Sequence, residues 1–143
     1  MENTETTINI LLRPSIEISD EILKVKKETN VYYPDHEDSL PHITLYGCKF
    51  EEGKYQELIE TLKDLKISQA NFTLTELRFS EMPKKNYTFV AFDIVEKEKL
   101  QDIHETVLSA VNPLRGDLVR NKDIERYKNG KMTEEEFSFT KKY

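Results

Sequence analysis

Apolar and polar positions alternate with a period of two along Ser39-Leu40-Pro41-His42-Ile43-Thr44-Leu45-Tyr46-Gly47, the pattern of a β-strand. In that reading Ile43 and Leu45 face a core, His42, Thr44 and Tyr46 face away from it, and Gly47 closes the strand. Other elements flank it on both sides. Residues 7–12 form an earlier strand that Arg13-Pro14 ends, because proline lacks the donor a ladder needs. A helix follows, with Ser19 as N-cap and Ile18, Ile22 and Val25 on one face. After the central strand, Tyr55, Leu58, Ile59, Leu62 and Leu65 recur at helical spacing, so residues 51–65 form a second helix.

Residues 72–79 and 87–95 are two β-rich runs joined by a polar segment, which predicts a hairpin. The apolar character of both faces of the second run predicts a central strand. Residues 96–111 form a third helix with Leu100, Ile103, Val107, Ala110 and Val111 as its stripe and Asn112-Pro113 as its stop. A polar helical stretch at residues 124–128 is broken by Asn129-Gly130. Thr133-Glu134-Glu135-Glu136 matches a capping box that starts a last helix toward Tyr143.

The chemistry sits on the central strand. A histidine and a hydroxyl two residues apart on a strand stand side by side, so His42 can move a proton while Thr44 donates to a phosphate oxygen of the same ligand. Tyr33 and Tyr46 offer ring faces on which a base can stack. Arg13 is a cation within reach of such a phosphate. His36, among Asp35, Glu37 and Asp38, belongs to a solvated loop, since adjacent loop residues rarely converge on one ion. Cys48, the single cysteine, forms no internal disulfide and is structural.

At 143 residues the chain is read as one domain, 1–143, large enough to bury a core without disulfide or metal. The net charge of −6 argues against a non-specific grip on long duplex nucleic acid, which needs many cations. The charge is uneven. Residues 115–143 hold eight Lys/Arg against six Asp/Glu, leaving room for a local anionic ligand there. With no basic leader and no run of membrane-spanning length, the protein is expected to be a cytoplasmic monomer that does not engage membranes.

Leu40-Pro41-His42-Ile43-Thr44-Leu45-Tyr46 resembles the first signature of the two-histidine (2H) phosphoesterase superfamily, which includes 2′-5′ RNA ligase-like proteins and cyclic phosphodiesterases. The order of elements through Asn112-Pro113-Leu114-Arg115 is similar to that family as well. The resemblance implies a bilobal α+β fold, each lobe supplying one His-x-Thr/Ser pair, and a reaction that needs no metal or other cofactor. It makes His42 a general acid/base and Thr44 a phosphate donor, and places Arg115 near the phosphate, beside the substrate-binding candidates Tyr46, Tyr33 and Arg13. The implied partner is a nucleotide or short RNA end with a 2′-5′ linkage or a 2′,3′-cyclic phosphate.

The family's second signature lies on a strand near the C-terminus, and residues 115–143 hold neither such a strand nor a histidine, so the second lobe is expected to be incomplete. The other His-x-Thr, His104-Glu105-Thr106, falls inside the third helix. There, residues two apart are separated by roughly 200° around the axis and do not address one phosphate. Three readings therefore stand side by side: a phosphodiesterase, a relative that binds a nucleotide or RNA end without turnover, or a purely structural or protein-interaction domain.

Overall fold

A computed structural model of the chain describes residues 5–28, 40–67, 70–82 and 87–143, with the side chains of 79–82 and 87–90 excepted. The expected loop carrying Tyr33 and His36, and the hairpin turn at 83–86, lie outside the described residues. Among those described, five α-helices accompany four strands, an α+β arrangement. The chain divides into two compact units. One holds residues 1–11, 44–68 and 101–143; the other holds 12–43 and 69–100.

In the first unit, β1 (Glu5–Leu12) pairs with β2 (Ile43–Glu51) in a two-stranded sheet. β1 ends at Leu12, directly before Arg13-Pro14, as the missing proline donor dictates. Gly47 does not close β2; the strand runs on to Glu51. A Cβ on Gly47 would come within 2.5 Å of the Asn9 side-chain oxygen, so glycine here admits a close neighbour rather than a turn. A 3-10 turn at Glu52–Lys54 leads into α2 (Tyr55–Asp64), which buries Leu58 while Tyr55 stays exposed.

The first unit also takes most of α3 (Lys97–Val111), where Ile103, Val107 and Val111 are buried at the predicted spacing. With Ile10, Leu45, Phe50 and Leu58 they form the core. Burying one such side chain contributes about 1.5–3 kcal/mol. A 3-10 turn at Asn112–Arg115 ends α3 at the predicted proline stop. α4 (Asn121–Lys128) and α5 (Glu134–Lys142) follow, separated by Gly130 at φ 67°. The capping box at α5 is present in full: Glu136 N–H donates to Thr133 Oγ1 at 3.1 Å, and the Glu136 carboxylate accepts the Thr133 N–H at 2.7 Å.

In the second unit, α1 (Ile16–Glu28) begins four residues earlier than a Ser19 cap requires. Ser15 takes that place, its hydroxyl accepting the Ile18 N–H at 3.4 Å. β3 (Leu74–Met82) and β4 (Tyr87–Ile94) form the predicted antiparallel hairpin, with an irregularity between Leu74 and Leu77. β4 is not a central strand among the described residues, because its sheet has two strands. The side chains of Phe92 and Ile94 are only half-buried, which is the environment of an edge.

At the open end of the hairpin, the Glu96 carboxylate accepts the Thr73 N–H at 2.7 Å and the Thr73 hydroxyl at 2.8 Å. These bonds hold the Glu96 carboxyl below its ordinary value, as the Thr133 bonds do for Glu136. A depressed folded value gives stability that is present above the unfolded value of 4.5 and lost as the pH falls through the folded one. Unfolding midpoints measured from about pH 6 to about pH 3 should therefore fall with acid. The fall should be shallower in the Glu96→Gln, Glu136→Gln double variant; parallel curves would contradict the assignment.

Candidate functional site

His42 stands one residue ahead of β2 and is exposed. Its Nδ1 lies 2.8 Å from the Leu40 carbonyl oxygen. A carbonyl only accepts, so Nδ1 carries the proton and donates it. That leaves Nε2, which has no partner among the described residues, as the basic nitrogen. Thr44, the second residue of β2, is exposed as well. The start of the strand thus presents a tautomerically fixed imidazole and a hydroxyl to solvent.

The expected open face does not continue beyond Thr44. Tyr46 is 6% exposed, and Cys48 and Phe50 on the same face are buried. The Tyr46 hydroxyl donates to Asn112 Oδ1 at 2.7 Å, and its ring meets Phe50 edge-on at a centroid distance of 6.4 Å. Burial, then the neighbouring Cys48, push the Tyr46 hydroxyl well above its usual value against the opposing pull of Arg115, so it stays a neutral donor. Tyr46 is in this way wall rather than open platform.

Arg115 is 3% exposed. Its Nη1 donates to the Thr140 carbonyl at 3.0 Å and to Cys48 Sγ at 3.1 Å, and its Nη2 donates to the Lys141 carbonyl. Asn112 Nδ2 donates to the next carbonyl, Lys142, at 2.8 Å. The last turn of α5, whose carbonyls have no partner within the helix, is therefore satisfied by side chains from the segment after α3. Cys48 Sγ lies 3.6 Å from the Leu118 carbonyl, to which it donates.

Arg13 is exposed, with no hydrogen bond or ion pair among the described residues. Tyr33 lies outside them. Of the candidates, the structure gathers Tyr46 and Arg115 around Cys48, while His42 and Thr44 occupy the exposed start of β2 and its approach.

His104 lies within α3, as the helical spacing predicts, and its Nδ1 sits 2.7 Å from the Leu45 carbonyl, to which it donates. Thr106 Oγ1 donates to the Asp102 carbonyl at 2.8 Å. Both members of this second His-x-Thr are thus engaged with backbone. The sequence reading overlooked Asn112 and Arg120; the only signal for the latter was the basic balance after residue 114.

Residues 14–128 match the family model of the 2′-5′ RNA ligase superfamily. The chain belongs to this superfamily. Searches of curated proteins and of solved structures return no match. Membership points to an activity of the 2H phosphoesterase or ligase-like class, and the matched span contains the whole His42-to-Thr44 segment. Among the described residues no helix is long and apolar enough to cross a membrane.

Two measurements check this account of the site. In a long-range proton–nitrogen spectrum of the neutral imidazole, His42 should show its proton on Nδ1; an Nε2–H tautomer would contradict the Leu40 bond. Arg115→Met leaves three acceptors without their donor and should lower unfolding stability by about 2–3 kcal/mol. A loss within about 0.5 kcal/mol would mean that the guanidinium is not holding α5.

Proposed function

We propose that the protein is a metal-independent phosphodiesterase acting on a 2′,3′-cyclic or 2′-5′-linked phosphodiester of a nucleotide or short RNA end. The observation that supports this reading is the His42 tautomer: a backbone carbonyl holds Nδ1–H and leaves Nε2 as a solvent-facing base. In hydrolysis of a cyclic phosphate, Nε2 takes the proton of the attacking water as its oxygen bonds to phosphorus. Thr44 Oγ donates to a non-bridging oxygen, and the bond from phosphorus to the ribose oxygen breaks as that oxygen takes a proton from solvent water, giving a phosphomonoester. Tyr46 and Arg115 support the strand from within, with Arg13 and Tyr33 as candidate contacts for the rest of the substrate.

In-line displacement puts the entering and leaving oxygens on opposite sides of phosphorus, so one imidazole serves one of them. Thr106 lies roughly 200° around α3 from His104 and its hydroxyl donates to the Asp102 carbonyl, so this second His-x-Thr does not form a second phosphate-facing pair, which favours a second reading: a relative that binds the same phosphodiester without turning it over.

Purified protein in EDTA should convert adenosine 2′,3′-cyclic phosphate or 2′-5′-linked oligoadenylate to product. His42→Ala should lower the rate by about 10²–10⁴-fold with the fold intact. Activity retained in His42→Ala would sink the phosphodiesterase reading. Saturable binding without product would replace it with the second one.

A further inference from the structure

Beside the middle of β2 lies a cavity of about 150 Å³ lined in part by Gly47, Cys48, Arg115, Arg120, Asp123 and Thr140. Neither His42 nor Thr44 lines it. Its volume is about half of the roughly 300 Å³ at which pockets for drug-sized ligands begin, so it has room for a small ion or a terminal group but not for a nucleoside.

The cavity's charge is unbalanced. Arg115 is buried and has no carboxylate partner among the described residues; carbonyls and a thiol accept from it. Asp123, 1% exposed, accepts from Arg120 Nε at 2.7 Å and lies 3.8 Å from Arg126 Nη1. Two guanidinium groups, Arg115 and Arg120, therefore line the cavity with one carboxylate, while Arg126 meets that carboxylate with a side chain that is 56% exposed; the lining carries one more cation than anion, which an oxyanion would balance.

The Asp123 bond also orients Arg120. It occupies Nε and leaves Nη1 and Nη2, which have no hydrogen-bond partner among the described residues. Nη1 lies 3.5 Å from where a Cβ on residue 47 would stand, so the glycine gives the guanidinium room across the strand. A planar fork with two free donors matches two oxygens of one phosphate, which a lysine ammonium does not.

We infer that this cavity binds a small oxyanion of the phosphate class, either the free ion or a terminal phosphomonoester, through the Arg120 fork. The site goes beyond the phosphodiester chemistry proposed for His42 and stands whether or not that chemistry occurs.

The test is calorimetric titration of the full chain with inorganic phosphate and, separately, with 5′-AMP, using wild type, Arg120→Lys and His42→Ala. Saturable phosphate binding is expected, weakened about tenfold or more by Arg120→Lys and unchanged by His42→Ala. AMP binding through Arg120 would add the phosphomonoester as a source, and its absence would assign the cavity to the free ion. Arg120→Lys keeps a cation beside Asp123, and the Arg120 Nε–H resonance of the unmodified protein gives a second readout that should move with phosphate. No saturable binding at millimolar phosphate would overturn the assignment. So would binding indifferent to Arg120→Lys, binding lost in His42→Ala, or an Arg120 resonance that stays in place. A failure of turnover at His42 leaves these titrations unaffected, so the two ideas fail separately.

Discussion

The buried guanidinium of Arg115 is the contact on which the first unit depends. It joins Cys48 in β2 to the Thr140 and Lys141 carbonyls at the end of α5, with Asn112 taking the carbonyl that follows. A charge this deep is tolerated because a helix C-terminus presents partial negative charge and unpaired acceptors. The same contact covers the inner face of β2, where Tyr46, Cys48 and Phe50 lie. What remains open on that strand is its beginning. Packing energy and exposed chemistry thus divide one strand between them, with the change falling between Thr44 and Leu45.

That division bears on the proposed reaction. A catalytic imidazole has to keep one nitrogen oriented and the other available, and the Leu40 carbonyl does the first for His42 while exposure does the second. In the proposed reaction Thr44, exposed beside it, is the neutral donor for phosphate. Membership in the 2′-5′ RNA ligase superfamily agrees with this pair in class. The two-sided geometry of phosphoryl displacement then sets the demand that separates a catalyst from a binder: a second proton carrier opposite His42. His104 sits in α3 with its Nδ1 on the Leu45 carbonyl, and the hydroxyl two residues on, Thr106, is turned to the Asp102 carbonyl rather than beside it.

Much of this was legible in the sequence where local rules decide. The proline after Arg13, the Asn112-Pro113 stop, the Thr133 capping box and the stripe of Ile103, Val107 and Val111 each act within a few residues, and each element falls where they put it. Ser19 competed with Ser15 for the cap, and the hydroxyl that follows Pro14 won. Gly47 read as a terminator because its reason for being glycine, the approach of Asn9 and Arg120, comes from distant parts of the chain. Alternation marked Tyr46 as open for a similar reason. It reports which face a residue is on, and only the arrival of residues 112–115 and α5 decides that this face is covered. The candidate site was legible through the His42-x-Thr44 motif, but Arg115's engagement with carbonyls and the Arg120 fork were not, because no periodicity records which acceptor a guanidinium will find.

The central claim is that a phosphodiester meets the protein at the start of β2. The most direct measurement is a heteronuclear NMR titration with adenosine 2′,3′-cyclic phosphate, read during the first minutes after mixing. The account predicts that the His42 imidazole and the Thr44 amide shift furthest, with Tyr46 following through the strand. Shifts confined to other residues, with His42 and Thr44 unmoved at saturation, would contradict it.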